Sequence, residues 1–93
     1  MLPSLASCIL DHLEADYRDP WYVPDLELAS LEHIGTPEGV WECIQVLEDL
    51  GFFKVIARRH WSEDELPESF SLMVPTMGLA GLKRLAAGKL KVH

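Results

Sequence analysis

The sequence predicts a small α+β domain that combines a three-helix core with a two- or three-stranded β-sheet and a C-terminal helix. Three observations predict this class: a sharply bounded helical run in the middle, two β-forming runs around an acidic turn, and an apolar stripe at helical spacing near the C-terminus. The 93 residues, 48% of them hydrophobic, suit one modest core. We expect residues 1–93 to form this single domain, with 1–88 ordered and 89–93 as a tail.

The first helix is predicted between residues 4 and 17, where large apolar side chains recur every four residues: Leu5, Ile9, Leu13 and Tyr17. On its polar side, His12 and Asp16 lie one turn apart and could in principle bind a metal ion. A solvated helix face is the preferred interpretation, because no third ligand is in view.

Two shorter elements are predicted between residues 20 and 32. Trp21 to Val23 is interpreted equally well as a three-residue strand or as a loop whose aromatic side chains cover the edge of the core. Asp25 to Glu32 is predicted as a short second helix, because acidic residues in a first turn suit the helix dipole. His33, Ile34 and Gly35 would form the following turn, with Ile34 inside.

The third helix has the clearest boundaries in the chain. Thr36 can cap the first free amides, Pro37 fits the first helical position, and Gly51 supplies the end. The apolar spacing predicts a core face with Cys43 beside it, made of Val40, Ile44, Leu47 and Leu50. We interpret Cys8 and Cys43 as packing residues rather than as a disulfide or a metal pair.

A β-hairpin and a last helix are predicted in the second half. Residues 53–61 and 70–74 are rich in β formers, and Ser62 to Glu68 between them is turn-prone and acidic. The last helix is predicted to end at Gly88 and to carry an apolar stripe of Leu79, Leu82, Leu85 and Ala86. This stripe can pack within the chain or against a second copy, so a homodimer through the C-terminal helix is one of two equal expectations.

The central run T-P-E-G-V-W-E-C-I-Q-V-L-E-D-L-G-F-F resembles the recognition helix of winged helix-turn-helix domains. The recognition helix of that family begins with a capping residue and then has a Val. Counted from this Val, an apolar residue follows at the fourth position, a Leu at the seventh and a Gly at the eleventh. The matching residues here are Val40, Ile44, Leu47 and Gly51. Leu28-Ala29 resembles the centre of the family's second helix, and Pro75 to Gly78 its closing step, each displaced by about one residue. The resemblance implies the order α-(β)-α-α-β-β-α, with the hairpin as the wing.

The charge distribution does not suit DNA binding, which is the usual function of this family. Residues 1–51 carry eleven acidic residues and one basic residue, whereas residues 52–93 carry four and seven, giving −7 in total. Where the family usually places Ser, Thr, Arg or Lys against DNA, this helix has Glu38, Trp41, Glu42 and Gln45. An acidic docking face loses the attraction to phosphates that supplies most nonspecific affinity, and the wing tip is acidic as well.

We therefore predict a non-enzymatic regulatory or assembly module that binds another protein through Glu38, Trp41, Glu42 and Gln45, with an outward Trp41 as a hot spot. An equally favoured alternative is that Trp41 packs sideways against the second helix or the wing. The second hypothesis is a DNA-binding transcription regulator whose cations contact phosphates: Arg58, Arg59, His60, Lys83 and Arg84. The preferred interpretation of Arg58 and Arg59 is pairing with the acids of the wing tip. A third and weaker hypothesis is DNA mimicry by the acidic half.

Sequence motifs of enzymes are absent: there is no glycine-rich phosphate loop, no H-E-x-x-H and no C-x-x-C. A nucleophilic Cys43 activated by His33 or His60 would need an exposed thiol, whereas its phase places it near the core. We expect no enzymatic activity, no cofactor and no metal site. No apolar run approaches the ~20 residues of a membrane span, and the N-terminus lacks the basic flank of a secretory signal, so we expect a cytoplasmic protein without membrane contact.

Overall fold

A computed structural model describes residues 1–14, 20–60 and 66–88 of the chain. Three α-helices are present in this part: α1 (Leu2–Asp11), α2 (Pro37–Asp49) and α3 (Thr76–Ala86). The strands are β1 (Trp21–Glu27), β2 (Lys54–His60) and β3 (Pro67–Val74), and a 3-10 turn (Leu28–Leu31) follows β1. The predicted α+β class is confirmed at this level.

The three strands form one antiparallel sheet in the order β1-β3-β2, with β3 in the centre. Leu72 of β3 pairs with Val23 on one side and Val55 on the other. Because successive side chains of a strand point to opposite faces, Phe70, Leu72 and Val74 face the helices, where all three are buried. Ser69, Ser71 and Met73 point to the opposite side, which we call the outer sheet face.

The core lies between the inner sheet face and the helices. Helix α1 packs against α3, and each helix contributes an apolar row whose members are at most 9% exposed: Leu5, Ala6 and Ile9; Val40, Ile44 and Leu47; Leu79, Leu82 and Leu85. A Cβ at Gly78 would overlap the carbonyl oxygen of Phe52. Only glycine therefore lets the start of α3 lie directly against the chain that leaves α2.

The predicted start of the central helix is confirmed. Thr36 Oγ1 accepts a hydrogen bond of 3.1 Å from the Gly39 amide, and Pro37 occupies the first helical position. A hydroxyl cap of this kind satisfies one of the free amides of the first turn. The regular backbone hydrogen bonds of the helix begin with the Val40 amide, which donates to the Thr36 carbonyl.

The predicted end of this helix is confirmed, but one predicted core residue is not. Gly51 has a φ of +89°, and the Phe52 amide donates to the Leu47 carbonyl across the last turn, as in a glycine-terminated helix. Leu50, predicted on the core face, is 55% exposed. The reason is that the helix ends at Asp49, and the chain then turns before the fourth apolar position reaches the core.

Helix α1 is shorter than predicted. It ends at Asp11, and Leu13 lies beyond it as a half-buried residue of the connection. The Glu14 amide donates to the Tyr22 carbonyl at 2.9 Å, so the chain has already turned toward the sheet at this point. Tyr17 and Asp16, which were expected on this helix, lie outside the described residues.

The predicted second helix at Asp25 to Glu32 is wrong. Strand β1 continues to Glu27, and only the 3-10 turn Leu28–Leu31 follows. Leu26 pairs with Phe70 and is 2% exposed, so burial in the sheet outweighs the local preference of an acidic first turn for a helix. The strand interpretation of Trp21 to Val23 is confirmed, with a strand of seven residues.

The hairpin and the closing helix are confirmed. Strands β2 and β3 pair in antiparallel fashion, but β3 begins at Pro67, so Glu68 belongs to the strand and not to the tip. Residues 62–65 of the predicted tip, Trp61 of the predicted first strand and the predicted tail 89–93 lie outside the described residues. The leucines of the α3 stripe, which suggested a homodimer, are buried within the chain. Helix α3 ends at Ala86, and Gly88 follows with a φ of +74°.

Candidate functional site

The solvent-facing side of α2 carries most of the residues predicted to bind a partner. We call it the α2 outer face, defined by six exposed residues: Glu38, Glu42, Gln45, Val46, Asp49 and Leu50. Val46 is 42% exposed and Leu50 is 55% exposed. Because residues four apart are neighbours on a helix, these two side chains form an apolar ridge along the helix. Carboxylates lie beside this ridge.

Trp41 does not belong to this face, so its predicted outward position is wrong. It is 8% exposed, and its ring centroid lies 5.3 Å from that of Phe70 with the planes tilted by 55°. The guanidinium of Arg58 lies over the ring, with Cζ 5.6 Å from the centroid. The alternative prediction, sideways packing against the hairpin, is confirmed. The geometry is that of a tilted aromatic pair with a cation–π contact.

The predicted nucleic-acid residues of β2 are separated by the pleat of the strand. Arg58 pairs with Phe70 and lies on the side of Trp41, whereas Arg59 pairs with Ser69 and lies on the outer sheet face. His60 is exposed, as are Lys83 and Arg84 in the last turn of α3. The predicted pairing of Arg58 and Arg59 with the acids of the wing tip stays a prediction, because residues 61–65 lie outside the described part.

Glu48 is a structural residue that the sequence analysis missed. Its Oε2 accepts a hydrogen bond of 2.7 Å from the Val55 amide, in a partly buried position. The carboxylate thereby joins the last turn of α2 to the beginning of β2. The available signal was its helical phase, which places this acid on the same side as Trp41 rather than with Glu42 and Asp49.

The outer sheet face contains a groove of about 400 Å³. Its lining is mostly apolar, and it includes Tyr22, Pro24, Ile56 and Ser71. At its edge, β1 is irregular: Asp25 has a φ of +44°, and its amide donates to Ser71 Oγ at 3.1 Å. Ser69, two residues earlier on the same face, is 3% exposed, and its Oγ has no hydrogen-bond partner among the described residues.

The two cysteines are free and half-buried. Cys43 contacts Met1, with 3.3 Å between the two sulfur atoms. Burial raises the pKa of the Cys8 thiol, and the nearby Asp11 carboxylate raises it further. His12 Nδ1 lies 2.8 Å from the Cys8 carbonyl oxygen. Within residues 1–14, 20–60 and 66–88, no three His, Cys, Asp or Glu residues are grouped to hold a metal ion.

Comparisons with known proteins assign no family and no function to this chain. No protein-family model matches the chain, and no curated protein or solved structure matches it significantly. In the described part of the chain, no helix is long and apolar enough to cross a membrane. Among the described residues, the α2 outer face and the outer sheet face both combine charge with exposed apolar side chains, Val46 and Leu50 on the first and Ile56 on the second.

Proposed function

We propose that this chain is a non-enzymatic winged-helix module that regulates or assembles another protein through the α2 outer face. The observation that carries the proposal is the apolar ridge of Val46 and Leu50. Both side chains are exposed, and carboxylates lie beside them on the same face. Large apolar side chains side by side on an exposed helix are typical of interaction surfaces. Trp41 is not part of this surface, because it packs against Phe70 and Arg58 of the hairpin.

The order of elements supports the winged-helix part of the proposal. Helix α2 directly precedes the hairpin, in the position of a recognition helix, and β1 pairs with β3, the second strand of the hairpin. In the family, a short strand pairs with the wing in this way. The chain departs from the family at the second helix, where it has only the 3-10 turn Leu28–Leu31.

The charge of α2 supports a protein partner over DNA. The helix contains four acidic residues and no Lys or Arg: Glu38, Glu42, Glu48 and Asp49. Phosphates would be repelled by the three acids that are exposed. A protein surface with an apolar depression and basic residues around it would instead match both properties of the α2 outer face.

A paired-variant capture experiment tests this function. Immobilised protein is used to capture partners from an extract of the cells that make it, and partners are identified by mass spectrometry. The face variant carries Glu42→Lys and Leu50→Ser. The control variant carries the same chemical changes elsewhere, Glu32→Lys and Met77→Ser, at positions that are also exposed.

We expect the native chain and the control variant to capture the same partner, and the face variant to lose it. All three proteins should unfold within ~0.5 kcal/mol of one another, because exposed substitutions rarely change stability by more. Equal capture of the same partner by the face variant would show that another surface is responsible.

The alternative function is a DNA-binding regulator that contacts phosphates through β2 and α3. The exposure of Arg59, Lys83 and Arg84 favours it, whereas Arg58 is placed over Trp41. Titration with random duplex DNA at increasing salt tests it, because a binder that neutralises phosphates loses affinity steeply as salt rises. The absence of binding at low salt would exclude this function.

A further inference from the structure

The groove on the outer sheet face lies where both outer strands of the sheet are irregular. Strand β1 shifts its register with β3 between Val23 and Leu26, and β2 shifts its register between Val55 and Ala57. Both shifts are beside Ser71 of the central strand. Such β-bulges interrupt the ladder of hydrogen bonds, bend the strand and redirect a side chain, and they are frequent next to active sites. Two of them at one level of a three-stranded sheet mark this place as a candidate site.

The residues inside the two shifts form the sides of the groove. Pro24 of β1 and Ile56 of β2 line it from opposite sides of Ser71, and the aromatic residue Tyr22 also lines it. Pro24 is exposed, and Ile56 is 48% exposed. The volume is about 400 Å³. Small-molecule sites of roughly 300–1,000 Å³ are mostly apolar and contain a few polar groups that orient the ligand, so the size and the lining suit a small molecule.

The charge of the lining is negative. Among the described residues that line the groove, Glu14 is the only one with a charge. It is half-buried, and its amide donates to the Tyr22 carbonyl at 2.9 Å, so its backbone is fixed beside β1. A carboxylate at the margin of an apolar groove attracts a cation and repels an anion, and the net charge of −7 acts in the same direction.

The other charges near β1 are negative as well. Asp25, an exposed acid, directly follows Pro24. Glu27 pairs with Ser69, and Arg59 pairs with the same Ser69 from the other side. This places Glu27 and Arg59 in one row of the sheet, two strand spacings or about 10 Å apart. The positive charge of Arg59 is therefore partly balanced, and Arg59 does not line the groove.

Lys54 is the cation that could oppose a positive ligand. It is exposed and pairs with Met73, which pairs with Tyr22 on its other side. Lys54 thus lies on the outer sheet face in the row of Tyr22, although it does not line the groove. Its repulsion of a bound cation should be measurable, because charges at this distance are only partly screened by salt.

We propose that the groove binds a small organic cation that consists of an ammonium group attached to an apolar body. The ammonium group lies beside Glu14, and the apolar body covers Tyr22, Pro24 and Ile56. The α2 outer face takes no part in this site. The proposed function and the groove site can therefore fail independently of one another.

Three probes of similar shape and different charge test the ligand class. Phenethylamine is protonated at neutral pH, as alkyl amines are; phenylethanol is neutral, and phenylpropionate is an anion. Each probe is titrated into the isotope-labelled chain, and the amide shifts of Ile56 and Ser71 are followed by nuclear magnetic resonance. We expect the amine to bind about five-fold more tightly than the alcohol, and the anion to bind more weakly than the alcohol.

Four substitutions test the placement of the ligand. Glu14→Gln should reduce the affinity for phenethylamine to that for phenylethanol, because it removes the charge and keeps the shape. Glu42→Gln, the same change on the α2 outer face, is the matched control and should leave both affinities unchanged. Lys54→Gln should increase the affinity for the amine by about two-fold. Ile56→Ser should weaken the amine and the alcohol alike, because both cover this side chain.

Three results would overturn the proposal: no saturable binding of phenethylamine up to ~10 mM, equal affinities of the native chain for the amine and the alcohol, or a Glu14→Gln variant that still distinguishes them. Urea unfolding of each variant confirms that it is folded. Any of these results would leave partner capture by the α2 outer face unaffected, so the failure of this site is distinguishable from the failure of the proposed function.

Discussion

The guanidinium of Arg58 lies over the indole ring of Trp41, 5.6 Å from its centroid. One residue had been predicted to contact nucleic acid and the other to bind a protein, yet the fold brings them together. Trp41 also contacts Phe70 of β3, with 5.3 Å between the ring centroids. The side chain therefore connects α2 to both strands of the hairpin, and its role is to hold the hairpin against the helix.

Replacing Trp41 by Ala should therefore affect stability more than surface chemistry. We expect Trp41→Ala to reduce the free energy of unfolding by ~3–5 kcal/mol, because it removes a buried aromatic side chain and leaves a cavity. The neighbouring Glu42→Ala, at an exposed position, should change it by less than ~0.5 kcal/mol. Urea unfolding followed by circular dichroism measures both. A loss below ~1 kcal/mol for Trp41→Ala would contradict its buried position.

The contribution of the Arg58–Trp41 contact to the free energy of unfolding can be distinguished from the effect of removing one positive charge. Arg58→Gln should reduce the free energy of unfolding by ~0.5–1 kcal/mol, which is the usual strength of an exposed cation–π contact. Arg59→Gln is the matched control, because Arg59 follows in the same strand and faces the other side of the sheet. In a Trp41→Leu background the effect of Arg58→Gln should disappear. Equal effects of the two arginine substitutions would argue against the contact.

Gly78 should tolerate no larger side chain. At ordinary helix positions alanine is more stable than glycine by ~0.5–1 kcal/mol. Here a Cβ would overlap the carbonyl oxygen of Phe52, which is a backbone atom, so Gly78→Ala should instead cost ~1–3 kcal/mol. The thermal or urea unfolding of Gly78→Ala and of Ala80→Gly, an exposed position of the same helix, gives the comparison. A stabilising Gly78→Ala would show that α3 can move away from Phe52.

Two serines on the outer sheet face should respond in opposite directions. Ser69 Oγ is buried without a partner among the described residues, so Ser69→Ala should leave stability unchanged or increase it by up to ~1 kcal/mol. Ser71 Oγ accepts the Asp25 amide at 3.1 Å, so Ser71→Ala should cost ~0.5–1.5 kcal/mol. Parallel urea titrations of the two variants measure the difference. A destabilising Ser69→Ala would indicate a partner for that hydroxyl.

The thiol of Cys8 should react slowly at neutral pH. Its pKa is raised above the ordinary value of 9.0 by burial and then by Asp11, and only the thiolate is nucleophilic. Alkylation of Cys8, followed by peptide mass spectrometry across pH 7–11, should therefore show a midpoint higher in the native chain than in urea. Asp11→Asn should lower the native midpoint only in part, because burial is the larger cause.

The same shift predicts how stability depends on pH. Since the folded pKa of Cys8 lies above the unfolded value, its contribution to stability is fully present below the unfolded pKa and is lost as pH rises through the folded pKa. The free energy of unfolding should therefore decline in the alkaline range, and Cys8→Ser should remove that part of the decline. An alkaline slope that is identical in Cys8→Ser would assign it to other groups.

Elements with local signals could be predicted from the sequence. The limits of α2 follow from Thr36, Pro37 and Gly51, whose caps and dihedral angles act within one turn of the chain. The second helix was mispredicted because Leu26 is fixed by pairing with Phe70, a contact between residues that are distant in sequence. No local preference near residue 26 contains that information.

The candidate site on α2 was predicted only in part, because some of its side chains are placed by contacts between residues that are distant in sequence. Helical phase correctly placed Glu38, Glu42 and Gln45 on the exposed side of α2, but Trp41 lies at the boundary between the two faces. Its orientation is decided by Arg58 and Phe70, which only the folded hairpin brings beside it. Leu50 shows the converse case, since helical phase places it inside and the turn at Gly51 carries it into solvent.

The two flanking strands of the sheet are held with unequal strength. Strand β1 buries Val23 and Leu26, whereas no residue of β2 is fully buried, and β2 is joined to α2 by the Glu48 carboxylate at Val55 and by the contact of Arg58 with Trp41. Local opening of weakly buried segments takes less free energy than global unfolding. Amide hydrogens of β2 should consequently exchange with solvent sooner than those of β1. The expected consequence is a strand that can detach and re-form while the helices stay folded.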